Sequence, residues 1–353
     1  MARENIDRRG FLAGLSAIGG VGAARLGLGA RLGLGTGLGL AGTSARAQNA
    51  ALGGSGTRLV LLGTQGGPNF NAERNECSNA VVVDGRPYLV DCGYGALGAL
   101  RDSGLGFRDL GHVFLTHLHD DHTSDLAALL SHQWTDGRVD PTVVIGPYGT
   151  ERMVEAALAF SSANAAIRLA DEGRTVEPAD IFSGRDIEAT TDPIQVFADD
   201  RVRVSSVENT HFPAAARERV PYRAVSYRFD SAERSITISG DTAYSENLVR
   251  LAEGSEVFVC ETIEVATTRA NFERRVAAGA YADNPEGIWK HIVDTHTSTE
   301  DAGRMAAEAG VGTLVLTHLV PGALTDVPDE LYLEGVRRQF DGEVIVGRDL
   351  MVI

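Results

Sequence analysis

The chain has 353 residues, of which 43% are hydrophobic, and its formal net charge is −16 at pH 7. A chain of this length and composition can bury one large core, which excludes a disordered or fibrous protein. The acidic balance repels polyanions, so we expect no nucleic acid among the partners.

The N-terminal segment predicts export from the cytoplasm. Residues 7–12, Asp-Arg-Arg-Gly-Phe-Leu, resemble the twin-arginine export signal, and a stretch rich in Gly, Ala and Leu follows them. Arg25 and Arg31 interrupt this apolar stretch, which disfavours an uncleaved transmembrane anchor. Residues 45–47, Ala-Arg-Ala, have the small-x-small pattern of a cleavage site.

Cleavage after Ala47 would remove six Arg and two acidic residues, a net charge of +4, and leave a mature chain of −20. The predicted organisation is a signal peptide over 1–47, a linker over 48–56 and one folded domain over 57–353. We expect a periplasmic protein that meets the twin-arginine export machinery and the membrane only during export. The sequence leaves open whether it forms a homodimer.

The most informative segment follows a predicted buried strand over 112–116. It holds three imidazoles and a carboxylate in the pattern H-x-H-x-D-H, namely His117, His119, Asp121 and His122. Imidazole nitrogen and carboxylate oxygen are ligands that suit zinc. The spacing allows His117 and His119 to face one ion. Asp121 and His122 can then turn toward a second ion.

Three further candidate ligands lie farther along the chain: His211, Asp241 and His318. Each follows a run of β-branched and apolar residues that predicts a strand. We therefore expect each side chain to be exposed at a strand tip. Either histidine taken singly could be an ordinary histidine, but the four motifs in this order indicate one site.

The remaining elements are less clearly patterned. The apolar spacing predicts a helix over 149–160, followed by a polar, irregular segment over 161–200. That segment either overhangs the site or is a solvated surface excursion. A second helix is predicted over 299–309, with Thr299 as its N-cap and Gly310 as its stop.

This series of motifs resembles the metallo-β-lactamase-fold hydrolases, and in particular their ribonuclease Z and arylsulfatase-like branch. Residues 59–68 and 88–93 are similar to two early strands of that branch, and residues 294–300 to its additional histidine motif. The resemblance covers residues 57–353. It implies an α/β fold, the αββα sandwich of two mixed β-sheets flanked by helices.

The resemblance also implies a centre with two zinc ions per chain. One ion would be bound by His117, His119 and His211, the other by Asp121, His122 and His318, and Asp241 would bridge them. The bridging hydroxide would be the nucleophile, since two such ions lower the pKa of a shared water. Asp121, Asp241 and His296 would be the catalytic residues, with His296 protonating the leaving group or binding the oxyanion. A structural role for His296 stays open, and Asp91 would support a ligand.

We therefore expect an exported dinuclear zinc hydrolase that acts on phosphodiester or sulfate esters of small molecules. A lactone or carboxylic ester hydrolase is the alternative for the same site, and a non-catalytic metal-binding protein is a third. His211 and Asp241 are only 30 positions apart, which leaves no room for the long arm with which ribonuclease Z holds transfer RNA. We therefore expect transfer-RNA processing to be absent.

Overall fold

The computed structural model describes residues 54–67, 73–322 and 327–353. The predicted signal peptide, the cleavage position after Ala47 and most of the predicted linker lie outside these residues. Within the described ranges, no helix is both long enough and apolar enough to cross a membrane.

The first β-sheet has six strands whose spatial order follows the chain. They are β1 (Thr57–Gly63), β2 (Ser78–Val83), β3 (Arg86–Val90), β4 (His112–Phe114), β5 (Thr142–Pro147) and β6 (Phe182–Ile187). The pairs β1–β2 and β2–β3 are antiparallel, and β3 to β6 run parallel. Nearly every residue of β2 and β3 is buried, because both faces of this sheet are covered.

The second sheet has seven strands in the order β13-β12-β11-β10-β9-β8-β7. They are β7 (Ile194–Ala198), β8 (Val202–Glu208), β9 (Val225–Ser231), β10 (Ser235–Ile238), β11 (Val257–Ile263), β12 (Thr313–Val320) and β13 (Glu343–Val346). The strands β7 to β10 are antiparallel and β10 to β13 are parallel. Both sheets are therefore mixed, as predicted.

Helices cover the outer face of each sheet. In chain order they are α1 (Ala96–Ser103), α2 (Asp120–Thr123), α3 (Leu126–Thr135), α4 (Thr150–Glu172), α5 (Pro178–Ile181), α6 (Ala214–Arg217), α7 (Glu246–Ala252), α8 (Val265–Ala277), α9 (Pro285–Thr295), α10 (Thr299–Ala309) and α11 (Asp329–Val336). Apolar residues of α1, α3 and α4 pack on the first sheet, and those of α7, α10 and α11 on the second.

A third apolar cluster lies between the two sheets. Phe114 from β4 makes edge contacts there with Tyr227 and Phe229 from β9, at ring-centroid distances of 5.5 and 5.2 Å. The layers are thus helix, sheet, sheet and helix, which confirms the predicted αββα sandwich. This arrangement brings the ends of β4, β8, β10 and β12 to one edge, where the candidate ligands lie.

The prediction of an irregular segment over 161–200 is wrong. Helix α4 continues to Glu172, and α5, β6 and β7 occupy most of the rest. The buried positions in this part of α4 are Ser161 and Ala165, which are small, while Phe160 and Ile167 are exposed. Hydrophobic periodicity does not reveal a helix whose buried face is made of small or polar residues.

The predicted cap of α10 is displaced by one residue. Ser298, not Thr299, is the N-cap, and its hydroxyl accepts a hydrogen bond of 3.1 Å from the amide of Asp301. Thr299 is the first helical residue, and Gly310 ends the helix in the left-handed conformation as predicted.

Candidate metal centre

The structure brings the seven predicted ligands together in two adjoining groups. One group is His117, His119 and His211, and the other is Asp121, His122, Asp241 and His318. Within each group the potential ligand atoms lie within 4.8 Å of one another. The expectation that the later ligands would be exposed is wrong: His211, Asp241 and His318 are buried, because both sheets and α9 converge over the strand ends.

The three imidazoles of the first group converge on one point. His119 Nδ1 lies 3.2 Å from His211 Nε2. The ring of His117 lies 4.7 Å from each of these two rings. Its Nε2 atom is buried and has no hydrogen-bond partner among the described residues. A cation at the point of convergence would satisfy all three nitrogens.

Hydrogen bonds to Asp91 determine which ring nitrogens carry protons. The Thr116 hydroxyl donates to Asp91 Oδ2 at 2.9 Å, so the hydroxyl oxygen of Thr116 accepts from His117 Nδ1 at 3.1 Å. His122 Nδ1 donates to Asp91 Oδ2 at 2.8 Å. His117 therefore presents an unprotonated Nε2 to the centre, and His122 would do so once a metal ion replaces its second proton. Asp91 supports a candidate ligand, as the sequence indicated.

The third ring of the first group is oriented by the backbone. His211 Nδ1 donates to the carbonyl oxygen of Thr295 at 3.1 Å, which leaves Nε2 as its free atom. Burial is the largest cause that lowers the pKa of His117, His119 and His211. These rings are therefore kept neutral, which is the form that binds a metal.

Asp241 lies between the two groups. Its Oδ1 is 3.1 Å from His122 Nε2 and 3.2 Å from His318 Nε2, while its Oδ2 is 3.9 Å from His117 Nε2. Asp121 completes the second group, with Oδ2 at 3.3 Å from His318 Nε2. One carboxylate oxygen of Asp241 thus faces each group, which is the geometry of a bridging ligand.

The charge balance of the second group differs from that of the first. Burial alone would lower the pKa of His122 and His318, but Asp241 and the neighbouring carboxylates raise both pKa values well above the usual range. Without a metal, protons on these rings therefore compensate the carboxylates. A divalent cation would replace those protons, so its affinity should fall as the pH is lowered.

Two backbone features aim the ligands. His318 has a φ of +44° and lies where the register between β11 and β12 shifts, so it forms a β-bulge that redirects its side chain. Gly240 has a φ of +59°, and a Cβ there would lie 2.6 Å from Thr116 Cβ. Glycine therefore allows the end of β10 to approach the segment that carries His117.

The donor set fits zinc ions. It consists of imidazole nitrogens and carboxylate oxygens, the ligands that zinc binds in proteins. His117 Nε2 is buried and lacks a hydrogen-bond partner among the described residues. His122 Nε2 and Asp241 Oδ1 are also buried and lie 3.1 Å apart, but they make no well-directed hydrogen bond. Buried polar atoms are almost always paired, so a cluster of such atoms at one point fits a site that would hold a cation.

His296 lies beside the two groups, where the sequence placed it. Its Nδ1 is 2.9 Å from Glu261 Oε2 and 3.8 Å from Asp241 Oδ2, and its ring stacks on that of His318 at 5.7 Å. Burial alone would lower the pKa of His296, but Glu261 followed by Asp241 raises it above the usual value. The ring can therefore hold a proton near the centre.

Sequence reasoning missed Glu261. This residue of β11 is buried, and it accepts hydrogen bonds from the amide of Thr242 at 2.6 Å and from His296. A signal was available, since a carboxylate directly after the apolar run 257–260 must be buried and must then have a partner. Glu261 positions His296.

Sequence reasoning also missed His291, which lies on α9. Its ring is 5.5 Å from that of His211 and 5.6 Å from that of His296. The Thr295 hydroxyl donates its proton to the His291 carbonyl at 2.7 Å. The hydroxyl oxygen therefore accepts a hydrogen bond from His291 Nδ1 at 3.1 Å, which leaves His291 Nε2 unprotonated. Burial, followed by the neighbouring His296 and His119, lowers the pKa of His291 to about 4.

Comparison with known proteins places the chain in a family. Residues 86–319 match the model of the beta-lactamase superfamily domain. The chain is 32% identical to the ribonuclease Z of Mycobacterium bovis over 295 residues, which are 83% of this chain and 96% of the relative. It is 30% identical to the ribonuclease Z of Mycolicibacterium gilvum, over 83% of this chain and 94% of the relative.

Solved structures show the same fold at lower identity. The short form of human tRNase Z is 19% identical with a TM-score of 0.59, and it matches over 84% of this chain and 98% of its own. Zinc-bound PqqB from Methylobacterium extorquens is 15% identical with a TM-score of 0.56, over 84% and 99% of the two chains. At these identities the likeness supports the fold alone.

The expected partners need correction. A small-molecule ester substrate and the absence of nucleic acid conflict with relatives that are named ribonuclease Z and align over nearly their whole length. The inference failed because a net charge of −16 is a sum over the whole chain. A dinuclear centre supplies its own positive charge at the point where a phosphate must bind.

The fold and the clustered donors agree with the family that the comparisons show. The two mixed sheets form its αββα sandwich, and the two donor groups lie at the edge where strands from both sheets end. Proteins of this family bind zinc. The chain belongs to the beta-lactamase superfamily and is a metal-dependent hydrolase with the metallo-β-lactamase fold.

Proposed function

We propose that the protein is a dinuclear zinc phosphodiesterase that hydrolyses RNA. The observation that carries the proposal is the pair of donor groups joined by Asp241, which presents one oxygen to each group. A phosphodiester is an anion that suits two adjacent cations. The ribonuclease Z relatives support RNA as the molecule that carries this bond.

Each part of the centre has a distinct task in this proposal. His117, His119 and His211 would hold one zinc ion, Asp121, His122 and His318 would hold the other, and Asp241 would be the ligand shared by both. When bound, the two ions lower the pKa of a water and stabilise the negative charge that develops on the phosphate. Asp91 accepts a hydrogen bond from Nδ1 of His122, and the Thr295 carbonyl accepts one from Nδ1 of His211. Each ring is thereby oriented with its Nε2 toward the metal.

His296 supplies the proton in the same proposal. Glu261 accepts from His296 Nδ1, which leaves Nε2 to face a bound substrate. The raised pKa of His296 favours the protonated ring, so it can donate a proton to the leaving oxygen. His291, with its low pKa, stays neutral and serves as a hydrogen-bond acceptor.

The metal content can be measured directly. We expect about two zinc ions per chain, since the donors form two groups that share one carboxylate. The measurement is elemental analysis of zinc-supplemented protein after gel filtration. A well-folded sample with one ion or none would contradict the dinuclear assignment.

The proposed activity is tested with RNA itself. Zinc-loaded protein is incubated with a precursor transfer RNA, an unstructured RNA and a DNA strand of the same sequence. We expect cleavage of RNA that a chelator abolishes and added zinc restores, and no cleavage by Asp241→Asn. If protein with two bound zinc ions cleaves neither RNA, the proposed function is wrong. Cleavage of the unstructured RNA alone would support the phosphodiesterase and exclude transfer RNA as its preferred substrate.

We also propose export by the twin-arginine route. This proposal rests on the sequence of residues 7–12, which lie outside the described part of the chain. Replacement of both Arg8 and Arg9 with Lys should trap the precursor in the cytoplasm, because Lys lacks the planar guanidinium. Fractionation and N-terminal sequencing measure this, and the mature chain should begin near Gln48. Normal periplasmic recovery of the double variant would contradict the proposal.

A further inference from the structure

A cavity of about 940 Å³ opens beside the candidate metal centre. We call it the side cavity. It shares His119 and His291 with the centre. The rest of its wall is largely apolar or aromatic and includes Leu118, Tyr148, Met153, Phe212, Val220 and Tyr222. Its volume lies in the range of about 300–1,000 Å³ that is typical of ligand sites.

Two tyrosines form an aromatic wall in this cavity. The rings of Tyr148 and Tyr222 lie 6.0 Å apart with an interplanar angle of 45°, and both side chains are substantially exposed. Gly149 has a φ of +104°, and a Cβ there would lie 2.9 Å from Tyr222 Cε1 and 3.0 Å from Leu118 Cδ1. Glycine at this position therefore allows Tyr222 to close against the start of α4.

The charges in the side cavity exclude a phosphate. The amides of Gly149 and Glu151, at the N-terminus of α4, already donate to the carboxylate of Asp186 at 3.0 and 2.9 Å. The charged side chains of the wall are Glu151, Arg152, Glu155 and Asp186, a formal charge of −2. An anion would be repelled here, whereas a neutral, planar ring can stack on the aromatic wall.

We propose that the side cavity binds an unpaired nucleobase of the RNA, from the nucleotide next to the scissile phosphate. This inference rests on the proposed RNA phosphodiesterase function. The phosphate lies at the metal centre, and the base reaches the side cavity past His119 and His291, which border both. Stacking on Tyr148 and Tyr222 holds the base. A base inside a duplex is already paired and stacked, so the enzyme selects RNA that is single-stranded at this position.

The test compares an intact RNA with otherwise identical RNAs that lack one base. The wild-type cleavage position in an unstructured RNA is mapped first, and the same RNA is then made with an abasic residue on either side of that position. We expect one of the two abasic RNAs to lose about 5- to 150-fold in kcat/KM, mainly through KM, because stacking is lost. Tyr222→Ala should lose a similar factor on the intact RNA and nothing further on that abasic RNA.

Control variants distinguish a loss of base stacking from a loss of protein stability. Phe160→Ala removes an exposed aromatic ring on α4 that does not line the side cavity, so it should behave as wild type. Tyr222→Leu keeps an apolar side chain without the ring and should show the same loss as Tyr222→Ala with an unchanged melting temperature. If Tyr222→Ala fails to fold, Tyr222→Leu alone decides.

The possible failures can be told apart. If zinc-loaded wild-type protein cleaves no RNA, both the proposed function and this inference are wrong. If it cleaves intact and abasic RNAs equally, and Tyr222→Leu remains fully active, the side cavity does not bind a base, although the phosphodiesterase function stands. Equal cleavage of the mapped position inside a stable duplex would also overturn the inference.

Discussion

Asp241→Ala should lose one of the two zinc ions and lower the rate of RNA cleavage by about 10³-fold or more. Asp241 faces both donor groups, through different carboxylate oxygens. Its removal leaves the second group with a single carboxylate, Asp121, so the zinc ion of that group should be lost and could not act together with the first. Loss of several kcal/mol of transition-state stabilisation corresponds to a rate change of this size. Zinc content and single-turnover cleavage measure the two effects.

Two further variants control this experiment. Asp241→Asn keeps the size of the buried side chain and should still lose the second zinc ion. This variant therefore tests the role of Asp241 even if Asp241→Ala does not fold. Asp140→Ala removes an exposed carboxylate remote from the centre and should keep both zinc ions and full activity. An Asp241 variant that retains two tightly bound ions and near-normal activity would show that Asp241 is not the bridge.

His296→Ala should lower the rate on RNA by about 10²–10⁴-fold, the contribution of a general acid, while both zinc ions stay bound. The reason is the position of the ring beside Asp241, with Nδ1 held by the buried Glu261. Glu261→Gln should cause a smaller loss of the same kind, since the amide no longer raises the pKa of His296. Steady-state rates, zinc content and melting temperature are measured together.

Substrates with different leaving groups distinguish proton donation by His296 from a purely structural role of this residue. On a nitrophenyl phosphodiester, whose leaving group needs no proton, the loss for His296→Ala should shrink markedly. His132→Ala is the matched control, because this exposed histidine lies outside the centre. Loss of zinc from His296→Ala would make His296 a ligand. Full activity on RNA would make its role structural.

The sequence by itself determined the elements of the centre that depend on local pattern. His117, His119, Asp121 and His122 lie within six positions, so their proximity follows from the chain itself. The later ligands follow runs rich in β-branched residues, and such runs favour strands. The order of these motifs predicted the seven residues that meet at one edge, and the family that the motifs resemble implied the αββα sandwich.

Only the tertiary structure decided how those residues are arranged. The burial of His211 and His318, the tautomers held by Asp91 and the two-sided position of Asp241 arise from groups that lie far apart in the chain. Long-range packing leaves no local periodicity in the sequence, so pattern analysis does not detect it.

The same reason explains what sequence analysis missed. Glu261 and His291 carry no motif of their own, and they reach the centre only because β11 lies beside β12 and α9 packs over the first donor group. The substrate was also misjudged, because net charge is a property of the whole chain and electrostatic recognition is local. Residue spacing and the family resemblance thus predicted which side chains meet, whereas the packing of distant segments set their charges, their orientation and the cavity beside them.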